Sequence, residues 1–145
     1  VLIPYASMHA STAKMVDHLV TALGERHVAV QPFNMTVTDI GQYALRLVDA
    51  ATVVFATPTV LVGPHPSVVF AAYLTAALRP KLRYAATIGS FGWAGKAPET
   101  VRSLCSSLQV EWLDSVFARG APTATTYKAL DALADGIATR HRELS

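Results

Sequence analysis

Hydrophobic positions along this chain alternate between two rhythms. Apolar-rich runs at 1–6, 28–33, 52–56, 83–88 and 110–117 read as strands. Between and after them, apolar residues recur every three or four positions, which predicts helices over 12–25, 39–48, 66–78, 98–108 and 126–144. In the first helix Met15, Leu19, Val20 and Leu23 share one face, and Gly24 lies near its end. In the last, Leu130, Leu133, Ala134 and Ile137 point inward. Asp39 suits the cap of the second helix, and Pro66 suits the first turn of the third.

The strand runs differ in what they demand. Residues 52–56 are continuously apolar, as expected of a central parallel strand covered on both faces. Pro32 fits an edge strand, whereas Pro4 removes one ladder donor from the first strand. Strict strand–helix alternation with short connections implies a parallel sheet with right-handed crossovers. The expected fold is α/β: a three-layer sandwich with a five-stranded parallel sheet of order 2-1-3-4-5 and helices on both faces. Its ligand crevice would lie between the first and third strands.

Three segments follow strand runs and carry the candidate chemistry. The first, Ser7-Met8-His9-Ala10-Ser11-Thr12, is rich in hydroxyls and opens a helix. Free amides and the positive end of the helix dipole suit a phosphate there without any arginine. His9 would contact phosphate or ring, or serve as a polar spacer, and the segment taken alone also fits an ordinary helix cap. The second, Thr57-Pro58-Thr59-Val60-Leu61-Val62-Gly63, offers hydroxyls beside an apolar wall. The third, Gly89-Ser90-Phe91-Gly92-Trp93-Ala94-Gly95, places an indole between glycines. Trp93 would stack on a planar ring or fold back onto the sheet edge, while the glycines would allow close approach and positive φ. Together the segments describe a pocket for a phosphorylated planar molecule, read as flavin mononucleotide (FMN).

Composition narrows the alternatives. At 145 residues, 52% hydrophobic and 15% charged, the chain fits one compact domain. A net charge of +2, with no basic run beyond Arg79-Pro80-Lys81-Leu82-Arg83, gives no footprint for nucleic acid. No apolar stretch reaches the roughly 18 residues of a membrane span, so no membrane partner is expected and a cytoplasmic location is. Cys105 is the only cysteine, placed at a half-buried helix position, and Trp112 reads as strand packing. Residues 1–16 contain no Asp or Glu, against a receiver domain, and no Asp-x-His-x-x-Gly segment suggests cobalamin. The abrupt opening on Val1 inside a strand predicts a domain drawn from a longer, multidomain chain.

The segments Tyr5-Ala6-Ser7-Met8-His9-Ala10-Ser11-Thr12, Thr57-Pro58-Thr59 and Gly89-Ser90-Phe91-Gly92-Trp93-Ala94-Gly95 resemble the flavodoxin-like domain of flavodiiron proteins, also called A-type flavoproteins. Thr38-Asp39-Ile40 fits as well, and the likeness spans essentially the whole chain. The resemblance implies non-covalent FMN, with electrons passed from rubredoxin or a flavin reductase to a di-iron domain that reduces dioxygen or nitric oxide. It also implies a homo-oligomer in the full-length protein. Ser7, Met8, His9, Ala10, Ser11 and Thr12 would surround the phosphate. Thr57, Pro58, Thr59, Val60 and Gly63 would border ring and ribityl chain, and Ser90, Phe91, Gly92, Trp93 and Gly95 would close the other side. Two departures stand out: Ala10 where the family usually has Gly, and Leu61-Val62 where an Asn pair is common. The histidines at 9, 18, 27, 65 and 141 form no di-iron ligand pattern, so no metal and no catalytic residue is assigned to this chain. Two other functions share the fold: a stand-alone NAD(P)H-dependent FMN or quinone reductase, and a non-catalytic interaction domain that has lost its flavin.

Overall fold

A computed structural model describes residues 1–8, 10–60, 63–92 and 96–144. In chain order the elements are β1 (Leu2–Tyr5), α1 (Ser11–Glu25), β2 (Gln31–Asn34), α2 (Ile40–Leu47), β3 (Thr52–Val60), β4 (Gly63–Pro64), α3 (Pro66–Leu78), β5 (Tyr84–Phe91), α4 (Ala97–Leu104), β6 (Glu111–Trp112), β7 (Val116–Arg119) and α5 (Ala124–Leu144). The main sheet path is β2-β1-β3-β5-β6; β7 also pairs with β5, and the short β4 runs antiparallel to β3. Counting β6 and β7 as two pieces of one strand, the parallel order is the expected 2-1-3-4-5.

That fifth strand is broken because it carries one residue too many. The pairing offset to β5 grows by one residue between Ala85↔Trp112 and Ile88↔Val116. An extra residue in a sheet-edge strand is a bulge, and it interrupts the run expected over 110–117. Pro4 has a similar, smaller cost. The ladder from β1 to β3 registers at Leu2↔Val53 and Tyr5↔Ala56 but not between them, where Pro4 has no N–H to give. Pro32 lies exposed on β2, the opposite edge of the sheet, as expected.

Alternate residues of the central strands feed two cores. Ile3, Val54, Ala56, Ala86 and Ile88 pack against Met15, Leu19, Leu23, Leu130 and Ile137 of α1 and α5. Leu2, Val53, Phe55 and Ala85 pack against Tyr43, Leu47, Val68, Ala71 and Val101 of α2, α3 and α4. Each fully buried Leu or Ile contributes about 1.5–3 kcal/mol relative to exposure, so the helix faces legible in the sequence anchor both layers. Asp39 caps α2 as expected, its carboxylate accepting from the Gly41 amide at 3.0 Å. Cys105 was expected half-buried within a helix. It is instead fully buried at the C-cap of α4, because that helix ends at Leu104 and turns Cys105 into the second core. Trp112 packs against the same core, with the Arg102 guanidinium 5.2 Å from its ring centre.

Candidate functional site

The end of β1 leads through Ser7 and Met8 into the first turn of α1, and the backbone there is under strain. Ala10, the N-cap, has φ 67° and ψ −7°, in the left-handed region that a Cβ disfavours. The N-cap residue offers no side-chain hydrogen bond to the helix. Ser7 Oγ accepts from the Ala13 amide at 3.2 Å, and the Lys14 amide donates to the Ala10 carbonyl at 3.0 Å. The amides of Ser11 and Thr12 precede Lys14, whose amide is the first to donate within the helix, and they have no partner among the described residues. The first turn contains no acidic residue, so the positive end of the helix dipole is left without a counter-charge there.

The second segment is not the loop expected from the sequence. Thr57, Pro58, Thr59 and Val60 all continue β3, and Gly63-Pro64 folds back against them with Thr59↔Pro64 and Val60↔Gly63 in register. The Thr57 hydroxyl is committed to this hairpin. It donates to the Pro58 carbonyl at 2.7 Å and accepts from the His65 amide at 2.8 Å. Thr59 Oγ1, by contrast, is buried with no hydrogen-bond partner among the described residues. A buried hydroxyl without a partner costs about 1–3 kcal/mol, which marks this point of the hairpin as incomplete.

The third segment likewise stays in the sheet for longer than expected. Gly89, Ser90 and Phe91 belong to β5, with Thr57↔Gly89 and Pro58↔Ser90 in register with β3. Gly89 is required by packing against protein, since a Cβ there would stand 1.8 Å from the Thr57 carbonyl oxygen. At Gly63 and Gly92 a Cβ would meet nothing within 4 Å, so both face open space. Of the glycines free to take positive φ, Gly89 and Gly92 do not use it and Gly95 lies outside the described residues; among the described glycines only Gly120 has it, at 73°. The Gly120 amide donates to the Phe91 carbonyl at 2.8 Å and ties the end of β7 to the same rim.

The first and third segments meet below the rim. Thr12 Oγ1 and Ser90 Oγ lie 3.3 Å apart, with Thr12 fully buried and Ser90 8% exposed. Ser7 and Ser11 are half-buried, while Met8 and Ala10 are exposed. Among the described site residues there is no charged side chain. His9, Trp93 and Gly95, together with Leu61, Val62 and Ala94, lie outside the described residues.

Sequence reasoning overlooked His65. Its Nδ1 accepts from the Ser67 amide at 3.1 Å, 2.9 Å from Ser67 Oγ, and so caps α3. The His-Pro-Ser order, a polar residue just before a proline at a helix start, is the signal that could have found it. Through its own amide His65 also fixes the Thr57 hairpin. The arrangement can receive an anion at the α1 amides and an uncharged, polar-edged planar group along β3 and β5. Among the described residues no cluster of three or more His, Cys, Asp or Glu could hold a metal ion, and no helix is long and apolar enough to cross a membrane.

No protein-family profile matches the chain. It is 27% identical over 139 residues to the rubredoxin-oxygen oxidoreductase of Megalodesulfovibrio gigas, covering 95% of this chain and 35% of that protein. It is 27% identical over 110 residues to the nitric oxide reductase of Moorella thermoacetica, covering 76% of this chain and 28% of that protein. The chain therefore spans about a third of the length of these curated relatives. The structure of rubredoxin oxygen:oxidoreductase from Desulfovibrio gigas matches 98% of this chain and 36% of its own, with TM-score 0.92 and 25% identity. The Flv1 flavodiiron core from Synechocystis matches 99% of this chain and 36% of its own, with TM-score 0.91 and 20% identity. An archaeal flavodoxin matches 96% of both chains with TM-score 0.79 and 20% identity. These last two show the fold alone. The fold is flavodoxin-like, and the chain resembles the flavodoxin-like part of flavodiiron proteins.

Proposed function

We propose that this chain is an FMN-binding electron-transfer domain. The observation that carries the reading is the start of α1, where two amides without partners among the described residues, hydroxyls on both sides and no acidic side chain in the first turn suit an anion. The amides of Ser11 and Thr12 and the hydroxyls of Ser7 and Ser11 would hold the phosphate, with His9 and Met8 beside it. Thr57, Pro58, Thr59, Val60 and Gly63 would border the ring and ribityl chain. The Thr59 hydroxyl lies buried behind this border, with no partner among the described residues. Phe91, Gly92, Trp93 and Gly95 would close the other side, with Ser90 buried behind them against Thr12. Bound FMN supplies a carrier of one or two electrons. The chain itself binds and orients it, and an apolar, uncharged wall disfavours its charged reduced forms.

On this reading the domain works within a longer polypeptide. Rubredoxin or a flavin reductase would deliver electrons, a di-iron domain would consume them at dioxygen or nitric oxide, and the assembly would be a cytoplasmic homo-oligomer. Support comes from the likeness to a rubredoxin-oxygen oxidoreductase and a nitric oxide reductase, each about three times as long.

Titration of the chain with FMN, followed by flavin absorbance and fluorescence quenching, tests the reading. Saturable one-to-one binding, weakened by Trp93→Ala and Ser11→Ala, is expected. No binding up to high micromolar FMN would sink it. The strained Ala10 favours one other reading, an interaction domain whose flavin site has decayed. Consumption of NADH by the chain alone would identify a reductase instead.

A further inference from the structure

We infer that Ser90 is a positioning residue for the phosphate turn, acting through Thr12, although it sits on the strand that borders the ring. The inference rests on the proposed FMN site and goes beyond it in assigning what the buried hydroxyl pair does.

Three observations carry it. Thr12 belongs to the first turn of α1, where the Ser11 and Thr12 amides have no partner among the described residues, and its side chain is fully buried. That hydroxyl points away from solvent and down onto the sheet, where Ser90 Oγ lies 3.3 Å away. Ser90 is itself buried, and its position along the strand is fixed by register with Pro58 and by the close approach of Gly89 to Thr57.

The pair therefore ties the first turn of α1 to β5, a strand held in continuous register with β3. A helix start lacks the four-residue hydrogen bonds that hold its interior, so its first turn frays readily. The N-cap residue here supplies no side-chain cap and is strained. Two tethers oppose that: Ser7 Oγ to the Ala13 amide at 3.2 Å, and Thr12 to Ser90. The first is local, six residues apart; the second spans 78 residues and sets where the turn stands relative to β5. An anion site built from backbone amides works only if those amides converge, so its affinity depends on that placement. Removing either hydroxyl would spread the turn while leaving its backbone amides, the groups assigned to the phosphate, in the chain.

The test compares FMN with riboflavin, which has the same ring and ribityl chain but no phosphate. Dissociation constants of both are measured by fluorescence quenching for the unaltered chain, Ser90→Ala, Thr12→Val and the double variant, with thermal unfolding alongside. A lost buried hydrogen bond corresponds to about a fivefold to tenfold change. We expect that loss for FMN in each single variant, no further loss in the double variant, and riboflavin affinity within about twofold. Thr12→Ser, which keeps the hydroxyl, should restore FMN affinity. Equal weakening of FMN and riboflavin by Ser90→Ala would overturn the inference and make Ser90 a ring contact. Unchanged affinity for both would overturn it too, leaving the pair as packing. Should Ser90→Ala not fold, Thr12→Val against Thr12→Ser makes the same comparison. If the unaltered chain binds neither flavin, the proposed function itself fails and this inference falls with it; discrimination failing in a chain that does bind FMN strikes only the role of the pair.

Discussion

The Thr57 hydroxyl accepts the His65 amide at 2.8 Å while donating to the Pro58 carbonyl at 2.7 Å, which joins the end of β3 to the start of α3 across the β3–β4 hairpin. Thr57 is fully buried, so both bonds are made away from water. Thr57→Val preserves shape and removes both. The His65 amide would then be left without its partner, and stability should fall by about 1–3 kcal/mol. Urea unfolding would show this as a lower midpoint with an unchanged slope; an unaltered midpoint would mean that the hairpin is held by something else.

Ala10→Gly should have the opposite sign. A Cβ in the left-handed region costs about 1 kcal/mol, and Gly removes that cost where φ is already 67°. The variant should melt several degrees higher. Under the proposed function it should also bind FMN more tightly, since the turn no longer resists its bound shape. A lower melting temperature would show that Ala10 is not strained.

Gly89→Ala has no room. The new Cβ would stand 1.8 Å from the Thr57 carbonyl oxygen, and that atom belongs to a paired central strand that cannot retreat. The expected result is failure to accumulate folded protein, or unfolding at a small fraction of the normal urea midpoint. Gly63→Ala and Gly92→Ala face open space and should leave stability nearly unchanged. Equal tolerance at all three positions would contradict the β3–β5 register.

Stability should also decline in alkali. Burial pushes the Cys105 thiol up to about 11, and burial likewise raises the Tyr43 phenol, which donates to Thr75 Oγ1 at 2.7 Å. Both groups stay neutral in the fold but ionise at their ordinary, lower values once unfolded. The stability they confer is therefore complete below about pH 9 and lost as pH rises toward 11. Urea midpoints measured from pH 8 to 11 should fall across that window, and less steeply in Cys105→Ala. At pH 8 the thiol should react with a disulfide reagent only as the chain opens.

Much of this was legible in one dimension. The helix over 66–78 was read to its exact bounds, and the parallel order followed from strand–helix alternation, because apolar periodicity records which face of each element meets the core. The residue types in the segments after β1, β3 and β5 likewise pointed to an uncharged, hydroxyl-lined rim. Only the tertiary structure decided how that rim is shared. That Thr57 is consumed by a hairpin, that Thr59 has no partner among the described residues, that Thr12 faces Ser90 and that Gly89 serves the sheet all depend on how segments apart in sequence are brought together. The bulge that splits the fifth strand depends on it too. Local patterns encode burial, which each residue carries in its own side chain. Hydrogen-bond partnership and close approach belong to pairs of residues, and no single stretch of chain contains both members.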